Sequence, residues 1–292
     1  MRIIEVTQKD LLLDYILKNL TEYKRTHLKQ LLKYGHISVN GQLTTKFNFP
    51  LEAGDQIAVE PKKRPTFNLL QKFKIEPVYE DDDLIVINKP AELLSIATEK
   101  VKTKTAYHLV NEYVKNKSAE QNSRIFVVHR LDQETSGLLV FAKTAYAKRQ
   151  LQNGWDHVRK RYFAVVCGKP PQAAGEIKTR LMQNKFLHVY STSGEKGSYF
   201  SVTKYRLIKS TKRYSLLDIE LETGRKHQIR VHLADLGIPV VGESRYAEKN
   251  NEHGGLALHA YSLVFRHPTK RKILTFRTKL PDRLAKLIDQ DK

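Results

Sequence analysis

Apolar residues at Leu13, Ile16, Leu17 and Leu20 recur at the spacing of one helical face, and Leu28, Leu31 and Leu32 do so again. Two short amphipathic helices are predicted. Gly35 stops the second at a position suited to a left-handed cap. On that helix Arg25, Lys29 and Lys33 step by four, forming a basic stripe beside the apolar one. Taken alone, such a stripe is ordinarily a solvated face. Ile37 to Val39 then runs into Asn40-Gly41, the strongest short hairpin signal, and Gly54-Asp55 before Ile57 to Val59 supplies another turn and strand. The polar, basic stretch Pro61 to Lys74, with Lys62, Lys63, Arg64 and Pro65, reads as a linker.

Beyond it the pattern turns toward strands. An acidic turn precedes the apolar run Leu84 to Ile87, which Lys89-Pro90 ends. Leu109, Val110, Tyr113 and Val114 mark a helix from near Thr105 into the polar loop Lys117 to Ser123. In the stretch Phe126 to Lys143, FVVHRLDQETSGLLVFAK, one apolar run delivers His129, Arg130 and Asp132. A polar turn with Thr135, Ser136 and Gly137 follows, and a second apolar run, Leu138 to Ala142, leaves. Two short apolar runs around a turn predict two buried strands. A helix is expected over Ala145 to His157. RKRYFAVVCGKPP then sets three bases before a strand, with Tyr162 at its entrance. Residues 175 to 221 alternate in strand fashion, and Ile229, Leu233 and Leu236 carry a helix that Gly237 and Pro239 end. This much strand in succession predicts an α+β fold with a largely antiparallel sheet rather than repeated β-α-β units.

Length and charge narrow the function. The chain has 292 residues, more than one typical domain, and 51 Lys plus Arg against 31 Asp plus Glu give a formal net charge of +20. A polyanionic partner follows, with nucleic acid ahead of an anionic membrane surface. No apolar run is long enough to span a bilayer, and MRIIEVTQKD lacks a signal-peptide layout, so a soluble, cytoplasmic protein is expected. The single cysteine, Cys167, excludes intramolecular disulfides and Cys-rich zinc sites. His227 and His232 would lie about 140° apart around a helix and form no metal pair. Neither a phosphate loop nor a GxSxG elbow occurs. What remains is arginines near a carboxylate: Arg130 beside Asp132, and Arg225 and Arg230 in the cluster GRKHQIRVH. Residue chemistry alone leaves a nucleic-acid site and a salt-bridged core equally open. It assigns Tyr162 to packing and His129 to a structural hydrogen bond.

The N-terminal order of basic helix, Gly, strand, Asn-Gly, then Gly-Asp and strand resembles the small RNA-binding domain first known from a small-subunit ribosomal protein, the S-four type. It is carried by KRTHLKQLLKYGHISVNG and LEAGDQIAVEP. The resemblance implies that Arg25, Lys29 and Lys33 face RNA phosphates. It departs at Leu12, where that family carries Arg. HRLDQETSGLLVFAK, RKRYFAVVCGKP, LETGRKHQIRVHLADLGIPVVGESRYA and LALHAYSLVF, in this order, resemble a pseudouridine synthase of the RluA type over residues 77 to 290.

The implied organisation is a small α/β RNA-binding domain at 1–60, a basic linker at 61–76 and a catalytic domain at 77–292 with a mixed, largely antiparallel sheet and flanking helices. The implied reaction converts uridine in RNA to pseudouridine without metal or cofactor. Asp132 matches the catalytic aspartate of the family, by adduct formation or by removal of a ribose proton. Arg230 matches the arginine paired with it, Tyr162 the tyrosine stacked on the target base, Arg130 the arginine that displaces the nucleotide, and Leu258 an apolar wall; Arg225 is assigned to RNA contact. The resemblance favours large-subunit ribosomal RNA over transfer RNA, and a monomer is expected. A noncatalytic RNA-binding or RNA-folding factor is the alternative. Ala91-Glu92 and Ser95-Ile96 depart from the usual first motif, and Glu92 stands where a Gly would permit a conformation that Glu resists.

Overall fold

The computed structural model describes residues 2–33, 35–59, 70–117, 123–247 and 255–289. The chain divides into two compact units, Met1–Thr66 and Phe67–Lys292.

In the first unit, strands β1 (Arg2–Glu5), β2 (Asp10–Leu11), β3 (Ile37–Val39), β4 (Gln42–Thr44), β5 (Pro50–Leu51) and β6 (Gln56–Val59) accompany helices α1 (Leu12–Asn19) and α2 (Arg25–Lys33). One sheet has the order β1-β6-β3-β4, and β2 pairs β5. The buried stripe of α1 is Leu12, Tyr15, Ile16 and Leu20, with Leu13 and Leu17 at its edge. It is turned from the expected face, with Leu12 and Tyr15 buried in place of Leu13 and Leu17. Tyr15 is buried with its polar end satisfied, donating to the Glu5 carbonyl at 3.0 Å. Leu12, at the family's Arg position, is fully buried core. Gly35, at φ +70°, lets the Gly35 and His36 amides close onto the Leu32 and Leu31 carbonyls at 3.1 and 2.9 Å, capping α2. Asn40 and Gly41, both at positive φ, turn β3 into β4. Strand β1 was not legible, because adjacent Ile3 and Ile4 show no alternation.

The second unit contains β7 (Glu76–Glu80), β8 (Leu84–Lys89), α3 (Ala106–Lys117), β9 (Phe126–Val127), β10 (Ser136–Ala142), α4 (Ala145–Asn153), β11 (Arg159–Cys167), β12 (Ala174–Gln183), β13 (Val189–Thr192), β14 (Tyr199–Ser210), β15 (Tyr214–Leu221), α5 (Gln228–Asp235), β16 (Leu258–Arg266), β17 (Ile273–Arg277) and α6 (Asp282–Asp289). The sheet order is β13-β12-β14-β15-β11-β16-β10-β8-β7, with β17 on β16 and β9 on β10. Only β10 and β16 pair in parallel among these named strands; the other pairs are antiparallel. The α+β, largely antiparallel fold is as the sequence predicts.

Strand β10 is continuously apolar because both of its faces are covered. Leu139 and Phe141 pack with Leu109, Val110 and Val114 of α3, while Leu138, Val140 and Ala142 pack with Ala147 and Leu151 of α4. On the other half of the sheet Leu217, Ile219 and Leu221 meet Ile229 and Leu233 of α5 and Leu284 and Ile288 of α6. Gly137, at φ +117°, is required where β10 meets β16: a Cβ there would lie 2.2 Å from the Ala260 carbonyl oxygen.

Four local expectations are corrected. Leu70 and Ile75 are buried with Ile85 and Ile87, and Glu76 opens β7, so residues 70–76 are packed onto the second unit rather than forming a linker. The remainder of the linker reading, up to residue 69, lies outside the described residues, as does most of the Lys117 to Ser123 loop. The first apolar run pairs only over Phe126–Val127, and from Val128 onward it is an unpaired loop whose Val128 and Leu131 are buried nonetheless. The helix from Ala145 stops at Asn153, with a 3₁₀ turn over Trp155–His157. Arg159, Lys160 and Arg161 lie inside β11, so Tyr162 is within the strand rather than at its start.

Candidate active site

The Asp132 loop is pinned on both flanks. Ser95, buried, donates to the Leu131 carbonyl at 2.6 Å and accepts the Leu131 amide at 3.1 Å. Lys89, fully buried at the end of β8, donates from Nζ to the carbonyls of Gln133, Pro90 and Leu93 at 3.1, 2.9 and 2.7 Å. Burial pushes this lysine down to about 7 against the pull of the Asp132, Glu92 and Glu134 carboxylates. Three carbonyl acceptors match the three protons of its ammonium form. Glu92 occupies the left-handed region at φ +63°, the conformation expected of the missing glycine.

Opposite this loop, Gln228 orders the connection from β15 to α5. Its amide oxygen accepts from the Thr223 hydroxyl at 2.8 Å and the Arg225 amide at 3.0 Å, while its nitrogen donates to the Val202 carbonyl at 3.0 Å. His232, further along α5, hydrogen-bonds the Thr203 and Thr179 hydroxyls through its two nitrogens, both at 2.9 Å. Its ring therefore fastens the helix to β12 and β14, and both of its nitrogens are engaged.

The two segments close around a cavity of about 350 Å³ lined by Arg130, Asp132, Tyr162, Arg225, Arg230 and Leu258, with His129, Lys226 and His227. Every site residue predicted for the second unit lines this one cavity. Beside Tyr162 the register between β11 and β16 shifts: Arg161 pairs with Ser262 and Tyr162 with Ala260, leaving Tyr261 as the extra residue. Leu258, 3% exposed, forms an apolar wall, and Arg130 is exposed at the rim. Arg25, Lys29 and Lys33 are exposed on α2 of the first unit.

Burial pushes the Asp132 carboxyl up and Glu134 adds to this, while Arg230, Arg130 and Lys226 pull it back, leaving it above its usual value. Burial also raises the Tyr162 phenol, with Asp132 adding to it, so this hydroxyl keeps its proton. His129 stacks on Trp155 at 4.3 Å and accepts the Val140 amide through Nε2 at 3.1 Å; burial lowers it to about 3. It is a neutral supporting group.

Arg230 stands in ion-pair range of Asp132, as expected, but its closest partner is Glu243. Its guanidinium makes a two-pronged ion pair with Glu243, at 2.6 Å through Nε and 2.9 Å through Nη2, with both residues 2% exposed. Nη1 reaches Glu134 at 3.4 Å and Asp132 at 4.0 Å. Glu243 holds the arginine, and the arginine presents its remaining nitrogen to Glu134 and Asp132. Sequence reasoning missed Glu243, Lys89, Ser95 and His227. An acidic residue within the apolar and basic stretch IPVVGESRY was the available signal for Glu243, and a lysine directly after an apolar strand was the signal for Lys89.

Among the described residues, one group of possible metal ligands, Asp81, Asp83 and His267, has ligand atoms within 4.8 Å of one another. The Lys270 ammonium already lies 2.9 Å from Asp81, and the His267 ring bonds Asp81 through Nε2 and accepts the Lys270 amide through Nδ1. These contacts make it a salt-bridged cluster.

Two family models match the chain: RNA pseudouridylate synthase over residues 83–235 and the S4 domain over residues 12–57. The chain is 32% identical over 273 residues to an uncharacterized RNA pseudouridine synthase of Bacillus subtilis, covering 92% of this chain and 89% of that protein. It is 32% identical over 285 residues to the ribosomal large subunit pseudouridine synthase D of Vibrio cholerae, covering 91% and 86%. Its fold is similar to that of human RNA pseudouridylate synthase domain containing 4, with a TM-score of 0.62 at 23% identity over 75% of this chain.

Proposed function

This chain belongs to the RNA pseudouridylate synthase family, and from that premise we propose that it isomerises a uridine of large-subunit ribosomal RNA with Asp132 as the reactive carboxylate. The observation that carries the reading is Asp132 itself, a carboxylate held in a nucleoside-sized cavity between Arg230 and Tyr162.

Isomerisation requires three things of the protein. The target base must leave the RNA stack, the bond from ribose to base nitrogen must break, and the base must be held while it turns and rejoins the ribose through a ring carbon. Arg130, exposed at the rim, suits the first, since a guanidinium can take the place of an extruded base. Asp132 serves the second, either by adding to the nucleoside or by taking a ribose proton. Its ionised form is favoured by the Arg230 edge at 4.0 Å, which Glu243 keeps in place. For the third, the Tyr162 ring offers a face for the base and Leu258 excludes water, which strengthens the electrostatics of the site. The Tyr162 hydroxyl, which keeps its proton, can donate a hydrogen bond to the base.

The exposed stripe of Arg25, Lys29 and Lys33 on α2 supports phosphate contact by the S4 domain. The name of the Vibrio cholerae relative supports large-subunit ribosomal RNA over transfer RNA. A cytoplasmic monomer completes the proposal. The test is to map pseudouridines across total RNA from cells with and without the gene. Loss of one or more large-subunit sites is expected. An unchanged map would refute the proposal and favour a noncatalytic RNA-binding factor.

A further inference from the structure

We propose that His227 is a positioning residue for Asp132: a neutral imidazole whose Nε2–H turns onto the Asp132 carboxylate when a uridine fills the cavity, with the Tyr246 hydroxyl fixing its tautomer from the other side. The inference rests on the reading of Asp132 as the reactive carboxylate.

Four observations carry it. His227 stands at the N-terminus of α5 with φ 54° and ψ 17°, a left-handed conformation that costs a non-glycine residue about 1–2 kcal/mol. Such a conformation persists where the surroundings over-determine it, and here it accompanies an imidazole that lines the cavity. Second, Nε2 lies 3.7 Å from Asp132 Oδ1. That is longer than a hydrogen bond, and catalytic hydrogen bonds are often long in an empty site and shorten when substrate binds. Third, Nδ1 is hydrogen-bonded to the Tyr246 hydroxyl. If the phenol donates, the imidazole proton resides on Nε2 and points at the carboxylate. The opposite tautomer would set a lone pair against that carboxylate. Fourth, Tyr246 is itself fixed: its amide donates to Glu243 at 3.3 Å and the Arg230 guanidinium lies 5.5 Å over its ring. Glu243 thereby holds Arg230 directly and His227 through Tyr246, and both converge on Asp132.

The protonation states agree. Burial, then the Arg230, Arg245 and Lys226 charges, push His227 down to about 3, so it stays neutral. Burial raises the Tyr246 phenol, which keeps its proton. Asp132 faces Arg230 and the Lys226–His227 segment, Arg130 and Glu134 from its own loop, Lys89 at the end of β8, and Tyr162 from β11. Against its burial, one more donor favours the ionised form without adding charge.

The test uses full-length protein and three substitutions, H227L, H227Q and Y246F, with melting curves confirming that each folds. Glutamine places an N–H donor near the position of imidazole Nε2; leucine does not. On an RNA transcript that the wild type modifies, H227L is expected to lower kcat roughly ten- to hundredfold, the range for a hydrogen bond to a charged group. KM stays within about twofold, since the donor acts on Asp132 rather than on RNA. The acidic limb of the kcat profile moves up by about one pH unit. H227Q should recover most of the activity, and Y246F should shift the limb in the same direction by less. Equal impairment by leucine and glutamine, or an unmoved limb in H227L, overturns the proposal. A wild type inactive on every RNA would count against the functional reading instead. The His227 claim is then decided by ¹³C-carboxyl NMR titration of Asp132, identified by its loss in D132N. A titration raised by about one unit in H227L supports the proposal, and an unchanged one refutes it.

Discussion

Removing either partner of the Arg230–Glu243 pair leaves a charge where almost no water can reach it. Both residues are 2% exposed. R230M strands the Glu243 carboxylate beside only the Arg245 and Tyr246 amides, at 2.8 and 3.3 Å, and is expected to cost about 3–5 kcal/mol. E243Q keeps an acceptor for those amides and leaves Arg230 with Glu134 at 3.4 Å and Asp132 at 4.0 Å, so about 3 kcal/mol is expected. The double variant R230M/E243Q leaves neither member of the pair charged and should lose only about 2 kcal/mol, giving a coupling of about 4–6 kcal/mol.

Urea unfolding followed by tryptophan fluorescence reads this cleanly, because Trp155 is the single tryptophan and lies in the catalytic unit. Losses that simply add would refute the claim that these two residues form one buried unit. The pair also fixes a pH dependence. Burial pushes Glu243 up, but the Arg230 hydrogen bonds and charge outweigh this and hold it below the usual range. Its stabilisation is therefore full above the ordinary carboxylate value and is lost as pH falls through the depressed one, and the E243Q penalty should shrink in acid.

Turnover should fall in acid with a midpoint above the ordinary aspartate value, because Asp132 is raised by burial and must be ionised to act; kcat measured across the acid range checks this, and a midpoint at or below that ordinary value contradicts it. G137A should cost about 4 kcal/mol or prevent folding, since its Cβ would lie 2.2 Å from the Ala260 carbonyl oxygen, whereas G41A, with open space around it, should cost only about 1 kcal/mol in the same melts. R25A/K29A should weaken RNA binding and flatten its salt dependence by about two phosphate contacts; an unchanged slope would return that stripe to being a solvated face.

The sequence made the participants legible more readily than their geometry. Alternation and turn signals located most strands and the α3 and α5 helices, because each depends on neighbours a few residues away. The motif residues Arg130, Asp132, Tyr162, Arg225, Arg230 and Leu258 all line one cavity, although they come from a loop, two strands and the segment entering and forming α5. What escaped notice depends on contacts between distant segments. No local pattern reveals that Arg230 is gripped by Glu243 across the turn after α5, or that Lys89 holds the carbonyl of Gln133 from another strand. Strand alternation likewise cannot foresee the irregularity at Tyr261 beside Tyr162. The loop from Val128 to Leu131 was mistaken for strand because its apolar side chains bury without pairing their backbone.

The central claim is that Asp132 performs the reaction and is not needed for RNA binding. It is tested most directly by D132N, an isosteric change that removes the charge, assayed beside wild type for pseudouridine formation in large-subunit ribosomal RNA and for binding to the same RNA. The account expects pseudouridine from the wild type, none from D132N, and RNA affinity within about twofold, since one carboxylate contributes no phosphate contact. Normal pseudouridine formation by D132N would contradict it.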